Sequence, residues 1–188
     1  KKFSTTQKTS LLALQHLPRP YYLFVGRLVS YKGLDYLLSA MNGLTGSLLI
    51  VGNGPLLPRL KTRAEPNTHF FSNVSSQELP AYYHAADVFV LPSISRAEAF
   101  GIVQLEAMAA GKPVISTNPA INQHNKTGIV VPARNVPALQ SAMQQLAHPA
   151  LRKFLGKNAK RLAQQHDTSH MIKSILAIYE EKPESQLL

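Results

Sequence analysis

The sequence predicts an α/β fold: a Rossmann-like, doubly wound, mostly parallel sheet of about six strands, with helices on both faces and a helical C-terminal tail. Three observations predict it. Short apolar runs alternate with segments of helical period from Tyr21 onward, glycine-containing turns follow the first two runs, and the last third of the chain has helical patterns only. Such an alternation is typical of βαβ units and a parallel sheet.

The expected strands are short runs of aliphatic, β-branched and aromatic residues bounded by turn residues. The run Asp-Val-Phe-Val-Leu at 87–91 is the clearest of them. In chain order, the strands are expected at residues 22–25, 48–51, 69–71, 87–91, 113–116 and 128–131.

The expected helices have apolar residues at helical spacing and recognisable ends. Ser75 and Glu78 have capping-box spacing, Asn135 is a suitable N-cap, and Gly111 stands where a helix of small and apolar residues would stop. In chain order, the helices are expected at residues 34–41, at about 55–64, from an opening at 75–78, and at 101–110, 136–147, 150 to about 165, and 168–181.

The size and composition predict one domain. A chain of 188 residues can bury a proper α/β core, and we expect residues 1–20 to be a linker or interdomain segment and residues 21–188 to be the domain. No apolar run approaches the roughly 20 residues that span a bilayer, and the N-terminus lacks the apolar core of a signal peptide. The absence of cysteine excludes disulfides and thiolate metal sites. We therefore expect a cytoplasmic location.

The formal net charge of +10 indicates an anionic partner. Nucleic acid, an anionic membrane surface and phosphorylated small molecules would each satisfy that charge. Most aromatic residues fall inside predicted strands and helices and are not interleaved with cations. Since single-stranded nucleic acids stack on exposed aromatic rings, nucleic acid is not among the predicted partners.

The first candidate site is the segment from Gly26 to Gly33, which links the first strand to the first helix. Ligands of doubly wound folds lie outside the carboxyl ends of the strands. Arg27 offers a planar fork and Lys32 a compact charge, and a diphosphate there would also meet the positive end of a helix dipole. The alternative is that both are surface cations beside a glycine turn.

The second candidate is the turn Gly52-Asn53-Gly54-Pro55, which follows the second strand. Backbone without Cβ atoms could let a ligand approach closely, and Pro55 is placed to open the next helix. The alternative is a plain βα turn.

The most informative stretch contains two glutamates, Glu98 in the turn before a helix and Glu106 within that helix. Both carboxylates can face one crevice, and a carboxylate accepts hydrogen bonds from vicinal hydroxyls of a sugar or ribose. The alternative is a first-turn acid favoured by the helix dipole and an exposed helical glutamate.

Five blocks in this order resemble the group-1, family-4 retaining glycosyltransferases of the GT-B fold. They are Gly-Arg-Leu-Val with Lys-Gly at 26–33, Gly-Asn-Gly-Pro at 52–55, Ala-Asp-Val-Phe-Val-Leu-Pro-Ser at 86–93, the glutamates 98 and 106, and Gly-Lys-Pro-Val-Ile at 111–115. The resemblance covers about residues 21–131 and implies a C-terminal, donor-binding domain.

The resemblance also implies residue roles. The catalytic residues would be Arg27 and Lys32, which hold the diphosphate of a nucleotide sugar, and Glu98, which holds sugar hydroxyls. Glu106 would hold the ribose. The remaining donor-binding residues would be Gly26, Asn53, Gly54, Asn73, Val74, Phe100, Gly101 and Ile102, of which Asn73 and Val74 would line the nucleobase.

The function implied is transfer of a hexose-type sugar, with retention and without a metal, from a UDP or GDP donor to a hydroxyl of a saccharide or lipid-linked acceptor. The acceptor-binding N-terminal domain would be absent, so the isolated chain should transfer little. The alternatives are a GT-B sugar-nucleotide epimerase and a catalytically silent nucleotide-sugar-binding module. Residues 117–124 form a shorter loop than relatives often carry.

Two weaker patterns concern membranes and metals. Arg152, Lys153, Lys157, Lys160 and Arg161 form a basic helical surface that fits an anionic inner membrane face, or simply a solvated helix face. The histidines 166 and 170 have metal-ligand spacing without an apparent third ligand, so no metal is predicted.

Overall fold

The computed structural model describes residues 14–95 and 101–165. Within these residues the chain forms one parallel sheet of six strands in the order β3-β2-β1-β4-β5-β6. The strands are β1 (Tyr21–Val25), β2 (Ser47–Val51), β3 (Thr68–Phe71), β4 (Val88–Leu91), β5 (Val114–Ser116) and β6 (Gly128–Val130). The predicted doubly wound α/β fold is confirmed, and every strand pair is parallel.

The helices lie between and after the strands. They are α1 (Leu34–Met41), α2 (Leu57–Arg63), α3 (Leu79–Ala85), α4 (Ile102–Ala109), α5 (Val136–Gln145) and α6 (Pro149–Gln165). A short 3₁₀ helix, Ser30–Lys32, precedes α1. The helix expected at residues 168–181 lies outside the described residues.

Two neighbouring interior strands, β1 and β2, are buried on both faces. Every residue of β1 and β2 is buried, and their register pairs Tyr21 with Ser47 and Val25 with Val51. Because helices cover both faces of such a sheet, its central strands are continuous apolar runs and do not alternate with polar residues.

The strand order places helices on opposite faces. The chain moves in one direction from β1 to β3 and in the other from β4 to β6, and right-handed crossovers then put the connecting helices on opposite sides. Helix α1 packs against α5, and α4 packs against α6. The reversal between β1 and β4 opens a crevice at the carboxyl ends of these strands.

Helix α6 crosses the opposite, amino-terminal edge of the sheet. A guanidinium nitrogen of Arg152 lies 3.5 Å from Asp87, immediately before β4. Gly156 approaches Pro113 before β5, and a Cβ on Gly156 would overlap the carbonyl oxygen of Gly111. Thr127, just before β6, lines a groove with residues of the C-terminal half of α6. The crevice at the carboxyl ends of the strands and helix α6 therefore lie at opposite edges of the sheet.

Three residue positions that were predicted to mark helix ends have the expected contacts or backbone conformation. The Glu78 carboxylate accepts from the Ser75 amide at 3.0 Å, and the Glu78 amide donates to the Ser75 hydroxyl at 3.3 Å, as in a capping box. Asn135 Oδ1 accepts from the amide of Ala138 at 2.9 Å. Gly111 has a left-handed backbone, φ 75°, immediately after α4.

Several predicted boundaries differ from the structure by a few residues, and local contacts explain two of these differences. The helix expected from Pro55 begins at Leu57 because the amide of Leu56 is bonded to the carbonyl of Leu28 and the turn faces the loop after β1. Asp87 precedes β4 and does not belong to it, because its carboxylate is bonded to the amide of Tyr21 at 2.8 Å and to Arg19 at 2.7 Å.

Candidate functional site

Three loops converge at the carboxyl ends of β1, β2 and β4. The amide of Leu28 donates to the carbonyl of Asn53 at 2.9 Å, which joins the loops after β1 and β2. The amide of Ile94 donates to the carbonyl of Tyr31 at 2.8 Å, which joins the loops after β4 and β1. The segments containing the first two predicted motifs therefore form one surface.

The glycines of these loops are required by backbone packing. A Cβ on Gly52, whose φ is 142°, would overlap the carbonyl oxygen of Gly26, and a Cβ on Gly54 would lie 2.5 Å from the carbonyl oxygen of Leu28. Gly33 (φ 70°) packs equally closely on Pro92. The expected close approach is thus made by the chain itself, and ligand contacts of Asn53 and Gly54 stay predictions.

Lys32 is the most buried cation among the described residues at this edge. It is only 8% exposed, at the end of the 3₁₀ helix, and its ammonium lies 5.4 Å from the centre of the Tyr31 ring. Its Cε lies 3.8 Å from the Cβ position built on Gly26. Arg27 is exposed beside it. Lysine is rarely so buried, and its position supplies a positive charge where the helix α1 begins.

The N-terminal end of α4 meets the same edge. Gly101 is buried, has a left-handed φ of 60°, and would place a Cβ 3.2 Å from Leu91 at the end of β4. Gly101, at the N-cap position, has no side chain with which to cap the helix, and Ile102 is 68% exposed. The first amides of an uncapped helix have no intrahelical acceptor. The predicted site residues Glu98 and Phe100 lie outside the described residues.

Gln104 was not predicted as a site residue. It is fully buried, and within the described part of the chain neither its amide nitrogen nor its oxygen has a hydrogen-bond partner. A Cβ on Gly101 would lie 2.6 Å from that nitrogen. In the sequence, Gln104 is one of two polar residues, with Glu106, in a helix pattern that is otherwise apolar.

Glu106 lies farther along α4, on the side that faces α3. Its Oε2 accepts a hydrogen bond of 2.6 Å from the hydroxyl of Tyr83, a contact that the sequence did not reveal. Burial, this hydrogen bond and the charge of Glu106 raise the pKa of Tyr83 well above its usual value. Glu106 also lines a groove of about 340 Å³ between α3 and α4.

The segment predicted to line a nucleobase follows β3. The amide of Gly52 donates to the carbonyl of Phe71 at 2.9 Å, so the ends of β2 and β3 are joined. Asn73 is exposed, and Val74 packs against the core. Both residues therefore lie at the carboxyl edge.

A second cavity, of about 460 Å³, opens at the carboxyl ends of β4 and β5. Ser93 and Thr117 line it, and the hydroxyl of Thr117 donates to the carbonyl of Ser93 at 2.5 Å. The short loop that follows is held by buried Asn122, whose amide donates to the carbonyls of Val114 at 3.0 Å and Ile129 at 3.2 Å. These hydrogen bonds hold the loop between β5 and β6 in a fixed conformation.

The described residues contain neither a metal-binding cluster nor a membrane-spanning helix. Residues 14–95 and 101–165 contain no group of three or more histidine, cysteine or acidic side chains placed to hold a metal ion. No helix within those ranges combines the length and apolarity needed to cross a bilayer.

The fold and the crevice define a Rossmann-like domain of the kind found in GT-B glycosyltransferases. Residues 13–181 match the family described as glycosyl transferases group 1, and the chain belongs to this family.

The similar proteins are glycosyltransferases. The chain is 39% identical over 150 residues to D-rhamnosyltransferase WbpZ of Pseudomonas aeruginosa, which covers 74% of this chain and 39% of the relative. It is 40% identical over 147 residues to a GDP-mannose-dependent alpha-(1-6)-phosphatidylinositol monomannoside mannosyltransferase of Mycobacterium tuberculosis. That alignment covers 68% of this chain and 38% of the relative. The chain thus spans about two fifths of the length of these relatives.

A solved structure has the same fold. HepE of Anabaena, in complex with UDP and glucose, superimposes with a TM-score of 0.80 at 19% identity, over 95% of this chain and 53% of HepE. This likeness shows the fold alone.

Proposed function

We propose that this chain is the donor-binding half of a retaining glycosyltransferase that moves a hexose-type sugar from a nucleotide diphospho-sugar to a hydroxyl of a saccharide or lipid-linked acceptor. The observation that carries the proposal is Lys32, a nearly buried cation at the carboxyl edge of the sheet, beside the switch in strand order. Membership of the glycosyltransferase family supports it.

The diphosphate is proposed to bind between Lys32, Arg27 and the backbone amides at the start of α4, where Gly101 provides no side-chain cap. Each of these groups supplies a hydrogen-bond donor or a positive charge, and the positive end of the α4 helix dipole adds to the attraction for phosphate. In the reaction, the bond between the anomeric carbon and the phosphate oxygen breaks, and a bond from that carbon to the acceptor oxygen forms. The departing phosphate takes the proton of the acceptor hydroxyl. Lys32 and Arg27 stabilise the negative charge of the departing phosphate, so no metal is needed for this purpose.

The sugar and ribose are proposed to contact the remaining predicted residues. Glu98 and the backbone from Phe100 to Ile102 would accept and donate hydrogen bonds to sugar hydroxyls. Glu106 would accept from the ribose, because a carboxylate oxygen is a strong acceptor for hydroxyl groups.

We propose GDP as the donor nucleotide. The mycobacterial relative, at 40% identity, is named GDP-mannose-dependent. HepE was solved with UDP, but at 19% identity. Calorimetric titration of the chain with GDP, UDP and ADP in the presence of EDTA tests the nucleotide and the metal independence together. Selective GDP binding supports the proposal, whereas binding that disappears with EDTA contradicts the metal-free site.

The acceptor is proposed to bind to a second domain, since the chain covers about two fifths of its curated relatives. We expect the isolated chain to bind donor and to transfer little. Efficient transfer by the chain alone would refute the two-domain proposal. A sugar-nucleotide epimerase is the alternative activity, and it predicts an isomerised nucleotide sugar as product in the absence of acceptor.

We also propose a cytoplasmic chain that binds an anionic membrane peripherally, through the outer face of α6. Lys153, Lys157, Lys160 and Arg161 are exposed there, and Phe154 is a 59% exposed aromatic among them. Exposed aromatic and basic residues suit a bilayer with anionic headgroups. Arg152, which the sequence placed on this surface, turns inward to Asp87 instead.

Co-sedimentation with vesicles tests this surface. The chain should sediment with vesicles of phosphatidylcholine and phosphatidylglycerol but not with phosphatidylcholine alone, and Phe154→Ser and Lys157→Gln should weaken binding. Lys61→Gln, on α2, is the matched control. Equal binding by all variants would contradict the proposal, and so would a preference for RNA over these vesicles.

A further inference from the structure

We infer that Tyr83 is a positioning residue that orients Glu106 toward a ribose hydroxyl of the donor. The inference rests on the proposed function, since it names how one contact of the donor site is held. It starts from the 2.6 Å hydrogen bond between the Tyr83 hydroxyl and Oε2 of Glu106, which joins α3 to α4.

The contact is strong for its type. A hydroxyl that donates to a carboxylate forms a short, charge-assisted hydrogen bond, usually of about 2.5–2.7 Å. Glu106 lies on an exposed part of α4, where a glutamate side chain ordinarily populates several rotamers. The hydrogen bond from Tyr83 selects the Glu106 rotamers that face α3. Glu106 therefore loses less side-chain entropy when a ligand binds.

Tyr83 is itself fixed. It is 4% exposed, and its ring lies 5.9 Å from the ring of Phe89 on β4, at an interplanar angle of 46°. Phe89 is fully buried in the sheet. The ring therefore connects Glu106 to the rigid core, and the raised pKa keeps the hydroxyl protonated and able to donate.

The other carboxylate oxygen remains available. Within the described part of the chain, Oε1 of Glu106 has no hydrogen-bond partner. Among the described residues that line the groove between α3 and α4, Glu106 is the one acid, and Ala109 and Ala110 beside it are small. A ligand hydroxyl that enters the groove would meet an oriented acceptor with space around it.

The rival interpretation is that the bond only ties α3 to α4. A structural tie predicts that Tyr83→Phe changes stability and affects all nucleotides alike. A positioning role predicts that the variant loses affinity for ribose hydroxyls specifically. The comparison of GDP with 2′,3′-dideoxy-GDP separates these predictions, since the two ligands differ only in those hydroxyls.

Calorimetry on the chain tests this. Wild type should bind GDP about tenfold more tightly than dideoxy-GDP, as expected for one charge-assisted hydrogen bond. Tyr83→Phe should lose most of that preference through weaker GDP binding, while its affinity for dideoxy-GDP stays within about twofold. Tyr22→Phe is the matched control, since it removes another buried hydroxyl, bonded to Met143 at 3.0 Å.

A second variant keeps the test independent of how Tyr83→Phe folds. Glu106→Asp retains the charge but shortens the side chain, and it should lose the ribose preference with Tyr83 intact. In the double variant Glu106→Asp/Tyr83→Phe, the loss should not be additive. Full ribose preference in folded Tyr83→Phe would overturn the inference and leave the donor site standing. No nucleotide binding by wild type would refute the proposed function itself.

Discussion

The carbonyl oxygen of Gly26 occupies the space that a Cβ atom on Gly52 would need. The two residues immediately follow β1 and β2, and the amide of Gly26 also donates to the carbonyl of Val51 at 3.0 Å. The loops that form the candidate site are therefore fitted to each other through backbone atoms, before any ligand is considered.

Gly52→Ala should separate these loops. The new methyl group would have to displace backbone, and φ at this position is unfavourable for alanine, so we expect the free energy of unfolding to fall by about 2 to 3 kcal/mol. Urea denaturation measures it. Gly43→Ala is the control, because Gly43 also has a positive φ (73°) but nothing within 4 Å. Equal losses in both variants would mean that the overlap with Gly26 is easily relieved.

Asp87→Ala should destabilise the opposite edge of the sheet. The Asp87 carboxylate accepts hydrogen bonds from Arg19 and from the amide of Tyr21, and it lies near Arg152. The Asp87 side chain is only 13% exposed. Removing it leaves these groups without their acceptor, at a cost of about 2 to 4 kcal/mol. Asp35→Ala is the control, since Asp35 pairs with Arg59 and Arg63 in a more exposed position.

The control should cost less than about 1 kcal/mol, as exposed ion pairs do. Folded Asp87→Ala should also bind nucleotide with unchanged affinity, because Asp87 precedes β4 at the edge away from the site. A loss of nucleotide affinity in folded Asp87→Ala would show that the two edges are coupled.

His84 should make stability depend on pH. Burial, followed by the charges of Lys112 and Lys160, lowers the pKa of His84 below 6.5. The unfolded chain therefore binds a proton at a higher pH than the folded chain, and the contribution of this group to stability is lost as pH falls below about 6.5. His84→Gln should reduce the fall in unfolding free energy between neutral and mildly acidic pH.

Urea denaturation at both pH values measures this effect, with His148→Gln, an exposed histidine at the start of α6, as the control. The same pH dependence in wild type and His84→Gln would contradict the assignment to His84.

The fold was predictable because its strands carry a strong local signal. The runs that became β1, β2 and β4 are buried on both faces, so they are uniformly apolar in sequence. The Asn135 cap and the left-handed Gly111 were predictable for a related reason: each depends on neighbours within a few residues. Asp87 was misassigned because its partners Arg19 and Tyr21 are distant in sequence, and no local sequence pattern indicates such contacts.

The site was predictable in position but not in its internal contacts. Glycine turns after parallel strands placed Gly26, Lys32 and Gly54 at one edge, as the structure has them. The fit of Gly52 against Gly26 and the bond from Tyr83 to Glu106 depend on how two elements pack together. Sequence spacing within one element contains no information on that packing.

The central claim is that Lys32 holds the phosphates of a nucleotide donor. Calorimetric titration with GDP of wild type, Lys32→Met and the control Lys61→Met tests it most directly, since methionine keeps most of the side-chain volume but lacks the ammonium with its charge and N–H donors. We expect Lys32→Met to remain folded and to bind GDP at least about tenfold more weakly than wild type, while Lys61→Met binds as wild type does. Unchanged GDP affinity in folded Lys32→Met would contradict the proposed donor site.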